Sequence, residues 1–189
     1  VAMILNPAMP EVLPYVRGLE KELDLTLDII VKSTPSSMHS FYEISSLLRG
    51  HGRFITTTVD TVFCPEAFRR YAKMWQEAPE NIDMMAMTRY IDDEKPLYID
   101  TDGDNEPIRA FRDEAWPGAK YISGGIYGLD SKAIGVLQQC MDEGVSRMRN
   151  YQRRLLSAGL TLLGHDMGKI LDVDHISDIP KAEAFLRQE

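Results

Sequence analysis

Apolar residues follow two different periods along the chain, and these periods predict strands and helices in alternation. Short runs of consecutive apolar or β-branched residues bounded by turn residues are typical of buried strands. Such runs predict strands over residues 2–5, 27–31, 53–60, 83–89, 108–111, 121–129 and 169–173. Apolar residues that recur every three or four positions predict helices over residues 10–23, 41–48, 64–77, 131–140, 145–158 and 177–187.

Strand–helix alternation at this spacing predicts an α/β fold: a three-layer, Rossmann-like, mostly parallel sheet with helices on both faces. Residues 92–107 interrupt the rhythm with two acidic clusters around a short apolar run. This segment predicts an antiparallel hairpin with a solvated, acidic tip. We expect residues 1–189 to form a single domain. Because the chain begins at Val1 and enters an apolar strand at once, we also expect a truncated amino end.

The charge and cysteine content exclude several classes of function. The chain has 29 acidic and 21 basic residues, a formal charge of −8. Such a chain repels the phosphates of nucleic acids and anionic lipids, so neither is an expected partner. No apolar run approaches the roughly 20 residues that a membrane-spanning helix needs. The two cysteines have no metal-ligand spacing, which indicates buried thiols in a reducing, cytoplasmic setting.

Carboxylates follow two of the predicted strands. Asp60 closes the strand at 53–60, and Asp172 and Asp174 lie at or just past the last strand. Ligands of open α/β sheets bind beyond the carboxyl ends of the strands. One or two carboxylates, with substrate phosphates completing the shell, suit Mg²⁺. A magnesium site is therefore one interpretation, and helix capping or turn formation by the same residues is the other.

Three segments carry a more specific signal. Residues 54–63 form an apolar strand that ends in Asp60, residues 121–130 contain Gly124 and Gly125 before an Ile-Tyr pair, and residues 171–186 begin Leu-Asp-Val-Asp. In this order, they resemble the nucleotide-sugar pyrophosphorylases, a family of sugar-phosphate nucleotidyltransferases. Residues 34–41 occupy the place of the family's base-contacting segment. The resemblance covers essentially the whole chain.

The resemblance implies a reaction and a site. A sugar-1-phosphate or a similar phosphate would attack the α-phosphorus of a nucleoside triphosphate, and pyrophosphate would leave. Asp60 would be the catalytic residue that holds Mg²⁺, joined by Asp174 or Asp172, with Asp174 slightly favoured. Ser37 and Ser40 would lie near the base or ribose. The sugar pocket would contain Ser123, Gly124 and Gly125, the glycines letting the sugar approach the backbone.

The sequence also departs from the family's pattern. Its glycine-rich Gly-x-Gly-Thr-Arg loop is absent from residues 1–189, and Val59 replaces the glycine before the metal-binding aspartate. Ser123 replaces the pocket asparagine, and residues 111–114 read Phe-Arg-Asp-Glu where the family has Glu-Lys-Pro. We therefore expect little turnover from residues 1–189.

Three functions stay open. The first is a Mg²⁺-dependent nucleotidyltransferase that acts on a nucleoside triphosphate and a phosphorylated sugar. The second is a non-catalytic nucleotide-sugar-binding or regulatory domain that has lost the phosphate loop. A metal-dependent glycosyltransferase ranks lower, because Thr61 and Val62 follow Asp60 where such enzymes carry a second aspartate. Homo-oligomerisation is left open.

Overall fold

Strands and helices alternate along the chain in the computed structural model, which describes residues 1–48, 50–92 and 95–187. The strands are β1 (Ala2–Leu5), β2 (Asp28–Val31), β3 (Arg53–Thr57), β4 (Thr61–Phe63), β5 (Ile82–Thr88), β6 (Tyr98–Asp100), β7 (Glu106–Pro107), β8 (Ala110–Arg112), β9 (Tyr121–Asp130), β10 (Thr161–Asp166) and β11 (Ile170–Asp172). The helices are α1 (Val12–Glu22), α2 (Ser37–Ser45), α3 (Pro65–Glu77), α4 (Ser131–Asp142), α5 (Met148–Ser157) and α6 (Ile179–Leu186). Short 3₁₀ turns occupy Ser46–Leu48 and Ile176–Asp178. None of these helices is long and apolar enough to cross a bilayer.

The chain divides into two compact units, and the first consists of Val1–Gly52 and Ser131–Tyr151. Its two strands, β1 and β2, pair in parallel. An apolar cluster of Leu5, Val16 and Leu27 joins these strands to α1, as the spacing of apolar residues in the helix predicts. The prediction of a single domain over residues 1–189 stays a prediction.

The second unit consists of Arg53–Asp130 and the chain from Gln152 onward, and it contains a seven-stranded sheet. The strand order is β7-β10-β5-β9-β6-β8, and β3 also pairs with β9. Strands β5 and β10 pair in parallel, whereas β9 runs antiparallel to β3, β5 and β6. The predicted α/β, Rossmann-like fold is confirmed. Strands β3, β5, β6 and β10 share one direction, and β9 between them makes the sheet mixed.

Helix α3 covers the centre of this sheet with its apolar face. It begins at Pro65, whose missing N–H costs nothing in a first turn. Ala67, Tyr71 and Trp75 follow at four-residue spacing and pack in one core cluster that includes Met84. The fully buried Tyr71 hydroxyl donates to the Met84 carbonyl at 2.9 Å and accepts from the Gly128 N–H at 2.7 Å. Helix and sheet are thus joined by hydrogen bonds as well as by apolar packing.

Removal of the Tyr71 hydroxyl is expected to destabilise the fold. Tyr71→Phe leaves two buried backbone groups without this partner, which costs about 1–3 kcal/mol of the free energy of unfolding. Urea denaturation measures the loss, and Tyr15→Phe, at a residue that is 67% exposed, is the matched control with no expected change. Equal stability of the two variants would contradict this role of Tyr71.

The structure differs from the predicted elements in three places. Strand β3 ends at Thr57 instead of residue 60, and β4 and β10 are additional strands that the apolar pattern does not predict. The hairpin forms between β6 and β8, whereas β7 pairs with β10. The acidic turn is also anchored, because Asp104 accepts a hydrogen bond from the Asp166 N–H at 2.7 Å. Asp93 and Glu94, within the predicted hairpin, lie outside the described residues.

Candidate functional site

A two-stranded antiparallel ribbon of β4 and β11 brings the backbone at Asp60 next to the backbone around Asp172. Its register pairs Thr61 with Asp172, and one step further the Val173 N–H donates to the Asp60 carbonyl at 3.0 Å. Directly opposite residues in such a ribbon have Cα atoms about 4.5–5.5 Å apart. The ribbon therefore places Asp60 and Asp172 at neighbouring positions, although 111 residues separate Thr61 from Asp172.

Threonine hydroxyls orient the Asp172 side chain. The Thr61 Oγ1–H donates to Asp172 Oδ1 at 3.0 Å, and the Thr58 and Thr61 hydroxyl oxygens lie 2.5 Å apart. Thr61 is buried, whereas Asp172 is exposed. A carboxylate held by a buried donor at the protein surface is pre-positioned for a ligand.

A cavity of about 650 Å³ opens beside this ribbon, within the second unit. Two of the predicted metal ligands, Asp172 and Asp174, line the cavity, as does Ser123. Its polar lining includes both charge signs, with carboxylates from Asp92 and Asp178 and ammonium groups from Lys95 and Lys181. Asp60 is not among the lining residues described. Its connection to this region is the backbone pairing in the β4–β11 ribbon. The volume and mixed polarity suit a polar ligand of small-molecule size.

The turn before α6 supplies a charged wall of the cavity. The His175 N–H donates to Asp178 Oδ2 at 3.0 Å, completing a capping box, and Lys181 Nζ lies 3.5 Å from Asp178 and 3.2 Å from Asp92. The hydrogen bond from His175, followed by the charge of Lys181, lowers the pKa of Asp178. The capping interpretation of this acidic segment therefore applies to Asp178.

The lowered pKa of Asp178 makes its contribution to stability dependent on pH. A carboxyl whose folded pKa is below the ordinary value of 3.8 stabilises the fold above that value, and this stabilisation is lost as the pH falls through the folded pKa. Asp178→Asn is therefore expected to lower the melting temperature at neutral pH, and its difference from the unmodified chain should shrink as the pH falls below 3.8. Asp28→Asn, at an exposed carboxyl on β2, is the control. A difference that is constant across the pH range would contradict the assignment.

The structure gives a steric explanation for glycine at both predicted pocket positions. A Cβ on Gly124 would lie 2.4 Å from Ile170 Cδ1 and 3.2 Å from the Ala86 carbonyl oxygen. Gly125 has a φ of +73°, and a Cβ there would lie 2.9 Å from Thr61 Oγ1. The glycines thus let β9 lie close to the ribbon. Approach of a sugar to their backbone stays a prediction.

The buried phenol of Tyr127 feels the charges of two of the predicted carboxylates. Tyr127 is 5% exposed and accepts a hydrogen bond from Gln152 Nε2 at 2.6 Å. Burial first, and then the negative charges of Asp172 and Asp60, raise the pKa of Tyr127 to about 12, although hydrogen bonds with Ser123 and Gln152 act in the opposite direction. Two of the three predicted carboxylates, Asp60 and Asp172, therefore act electrostatically on one hydroxyl.

The predicted base-contacting serines belong to the first unit. Ser37 is the first residue of α2, and the Ser40 hydroxyl oxygen lies 2.6 Å from that of Thr34. Their contact with a base or ribose stays a prediction.

Several polar residues at the site carried no recognisable sequence signal. Thr58 and Thr61 lie in or just after a β-branched run and read as strand residues, and Gln152 lies in a helix without a motif. Within residues 1–48, 50–92 and 95–187, no three or more His, Cys, Asp or Glu side chains form a group able to hold a metal ion. A site of two carboxylates completed by substrate phosphates is a different donor set.

Comparison with known proteins identifies the fold. No protein-family model matches the chain. No curated protein matches it in sequence. Among solved structures, a Bacillus anthracis protein assigned as a glucose-1-phosphate thymidylyltransferase, solved with sucrose, has a TM-score of 0.81 at 18% identity, covering 100% of this chain and 76% of its own.

Two further structures agree with this match. The inositol-1-phosphate CTP transferase from T. maritima has a TM-score of 0.76 at 12% identity and covers 98% of this chain and 76% of its own. A UDP-glucose pyrophosphorylase solved with UDP-glucose has a TM-score of 0.74 at 12% identity and covers 100% of this chain and 81% of its own. The chain has the fold of the nucleotide-sugar pyrophosphorylases, which confirms the resemblance at the level of fold.

Proposed function

We propose that this chain is the nucleotidyltransferase domain of an enzyme that joins a nucleoside triphosphate to a sugar-1-phosphate or a similar phosphate, with release of pyrophosphate. The observation that carries the proposal is the β4–β11 ribbon, which places the backbone of Asp60 next to that of Val173 and holds Asp172 at the wall of a polar cavity. The shared fold supports the same class of reaction. The partners proposed are small, phosphorylated and cytoplasmic.

The donor set at the ribbon fits Mg²⁺. Asp60 and Asp172 supply hard carboxylate oxygens at neighbouring positions, and Mg²⁺ in nucleotide-binding sites typically takes one or two carboxylates plus substrate phosphates. We assign Asp172 rather than Asp174 as the partner of Asp60, because Thr61 orients Asp172 directly. Bound there, Mg²⁺ would neutralise phosphate charge and orient the reacting phosphates.

The remaining cavity residues would bind and orient the phosphorylated acceptor. Lys95 and Lys181 supply positive charge at the cavity wall, while Ser123 supplies a hydroxyl from β9. Lys181 is held between Asp92 and Asp178, so its ammonium group is fixed before a ligand arrives. Phosphoryl chemistry of this kind depends on positioning and charge neutralisation more than on a general base.

A coupled assay for pyrophosphate tests the proposal. Residues 1–189 are incubated with each of the four nucleoside triphosphates, Mg²⁺ and either glucose-1-phosphate or inositol-1-phosphate, with a chelator as the matched control. We expect pyrophosphate release that depends on both substrates and on the metal, at a low rate. Calorimetry with the corresponding nucleotide sugars measures binding separately from turnover.

The outcomes distinguish the two main functions. Binding of a nucleotide sugar without pyrophosphate release would support the non-catalytic binding or regulatory domain. Failure of every nucleotide, with and without Mg²⁺, to bind or to raise the melting temperature would contradict both.

A further inference from the structure

Three buried or half-buried polar side chains form a network behind the cavity wall. Gln152 on α5 is 3% exposed, and its Nε2 donates to Tyr127 Oη at 2.6 Å and to Ser123 Oγ at 3.4 Å. Tyr127 and Ser123 both lie on β9, so one amide contacts two side chains of the same strand. Of the three, only Ser123 lines the cavity. The network therefore connects the buried helix–sheet contact to one point of the cavity surface.

The donors and acceptors of these side chains determine which group is left to donate into the cavity. Gln152 Nε2 donates to the Tyr127 phenol oxygen, and this short contact fixes the amide in the position from which it also donates to Ser123 Oγ. Ser123 Oγ thus accepts from Gln152. Its own proton has only Met85 Sδ, at 3.9 Å, as an acceptor among the hydrogen bonds described, and a thioether is a weak acceptor. A stronger acceptor in the cavity would take this proton.

The other end of the Gln152 amide supports this interpretation. Its Oε1 is buried and has no hydrogen-bond partner within the described residues. A buried polar atom without a partner is costly and uncommon in folded proteins. The Gln152 amide therefore makes its side-chain contacts through its donor end, which serves Tyr127 and Ser123.

A neighbouring contact fixes where Gln152 lies. Arg153, the next residue of α5, donates from Nε to the Phe111 carbonyl at 3.3 Å and pairs with Asp113 at 2.7 Å. These contacts tie the helix to β8 and to the residue that follows it. The position of the amide relative to β9 is thus held by more than its own hydrogen bonds.

We propose that Gln152 and Tyr127 are positioning residues that hold Ser123 Oγ as a hydrogen-bond donor to an acceptor oxygen of the bound ligand. The inference rests on the proposed function, in which that oxygen belongs to a hydroxyl or ring oxygen of the sugar. A group that can only donate, such as an ammonium, is disfavoured at this point of the cavity. Gln152 and Tyr127 thereby contribute to specificity without touching the ligand.

Calorimetric titration with UDP-glucose and dTDP-glucose tests the network in single and double variants. Ser123→Ala and Gln152→Leu are each expected to weaken nucleotide-sugar binding by about 10-fold, the effect of losing one oriented hydrogen bond, and to leave the affinity for Mg²⁺ with a nucleoside triphosphate unchanged. Ser123→Thr retains the donor and should retain the affinity. The double variant should lose no more than either single variant, because both changes remove the same interaction.

Gln139→Leu is the matched control, since it makes the same substitution at an exposed position of α4. Additive losses in the double variant, or an equal loss of triphosphate affinity, would overturn the inference while the proposed function stands.

A second measurement does not depend on the ligand. The side-chain amide signals of Gln152 in a ¹⁵N–¹H spectrum, assigned by their absence in Gln152→Leu, are expected to exchange slowly with solvent because the donor end is buried and hydrogen-bonded. If no nucleotide sugar binds the unmodified chain, the proposed function is wrong. The exchange rate of the Gln152 amide protons then tests the hydrogen-bond network by itself. Rapid exchange of the Gln152 amide protons would overturn it.

Discussion

Asp172→Asn is expected to reduce Mg²⁺-dependent nucleotide binding and any pyrophosphate release by on the order of 100-fold or more, because loss of a metal-ligand charge removes several kcal/mol of stabilisation of phosphate charge. Asp60→Asn should have an effect of the same size, since both carboxylates are proposed to share one ion. The measurements are calorimetry with Mg²⁺ and a nucleoside triphosphate, and the pyrophosphate assay.

Two further variants make this expectation specific. Asp174→Asn changes a carboxylate of the same cavity that lacks the hydrogen bond from Thr61, so we expect it to have a smaller effect. Asp28→Asn, an exposed residue of the first unit, should have none. A larger loss in Asp174→Asn than in Asp172→Asn would transfer the proposed ligand role to Asp174.

Gly125→Ala is expected to destabilise the fold and to weaken the site at the same time. A φ of +73° costs an L-residue roughly 1–2 kcal/mol. The added Cβ would also approach Thr61 Oγ1 to 2.9 Å and Thr58 Oγ1 to 3.3 Å, displacing the hydroxyls that orient Asp172. Urea denaturation should report a loss of about 1–3 kcal/mol. Calorimetry should report weaker binding of Mg²⁺ with nucleotide under conditions where the variant is folded.

Gly103→Ala is the control for this substitution, because a Cβ there meets nothing within 4 Å and its φ is not in the left-handed region. It should leave both stability and binding unchanged. If folded Gly125→Ala binds Mg²⁺ with nucleotide as tightly as the unmodified chain, the hydroxyls of Thr58 and Thr61 do not orient the Asp172 side chain.

The local pattern of apolar residues was sufficient to predict much of the fold. Strand β1 has the predicted bounds, and α3 begins within one residue of its predicted start, because apolar periodicity and Pro65 both act locally. Strand β10 is different. Residues 161–166 read Thr-Leu-Leu-Gly-His-Asp, an apolar run too short to stand out, and they form a strand because β5 offers a parallel partner. Such a strand depends on tertiary pairing rather than on its own sequence.

The sequence predicted the candidate site about as fully as it predicted the fold. The positions of Asp60 and Asp172 next to strands, together with the family resemblance, were sufficient to nominate them. The ribbon that joins them was not predictable, because β4 and β11 have three residues each and pair across more than 100 positions. The threonine pair and the Gln152 network depend on side-chain contacts between distant segments, for which one sequence gives no periodic signal.

The long separation between Thr61 and Asp172 has a consequence for synthesis in the cell. Pairings between residues far apart in sequence form slowly, since a large loop must close first. A nascent chain therefore has no β4–β11 contact until residues beyond 172 have left the ribosome, even where β5 and α3 are already packed. We expect ribosome-bound chains that stop before residue 160 to show no affinity for Mg²⁺ with nucleotide.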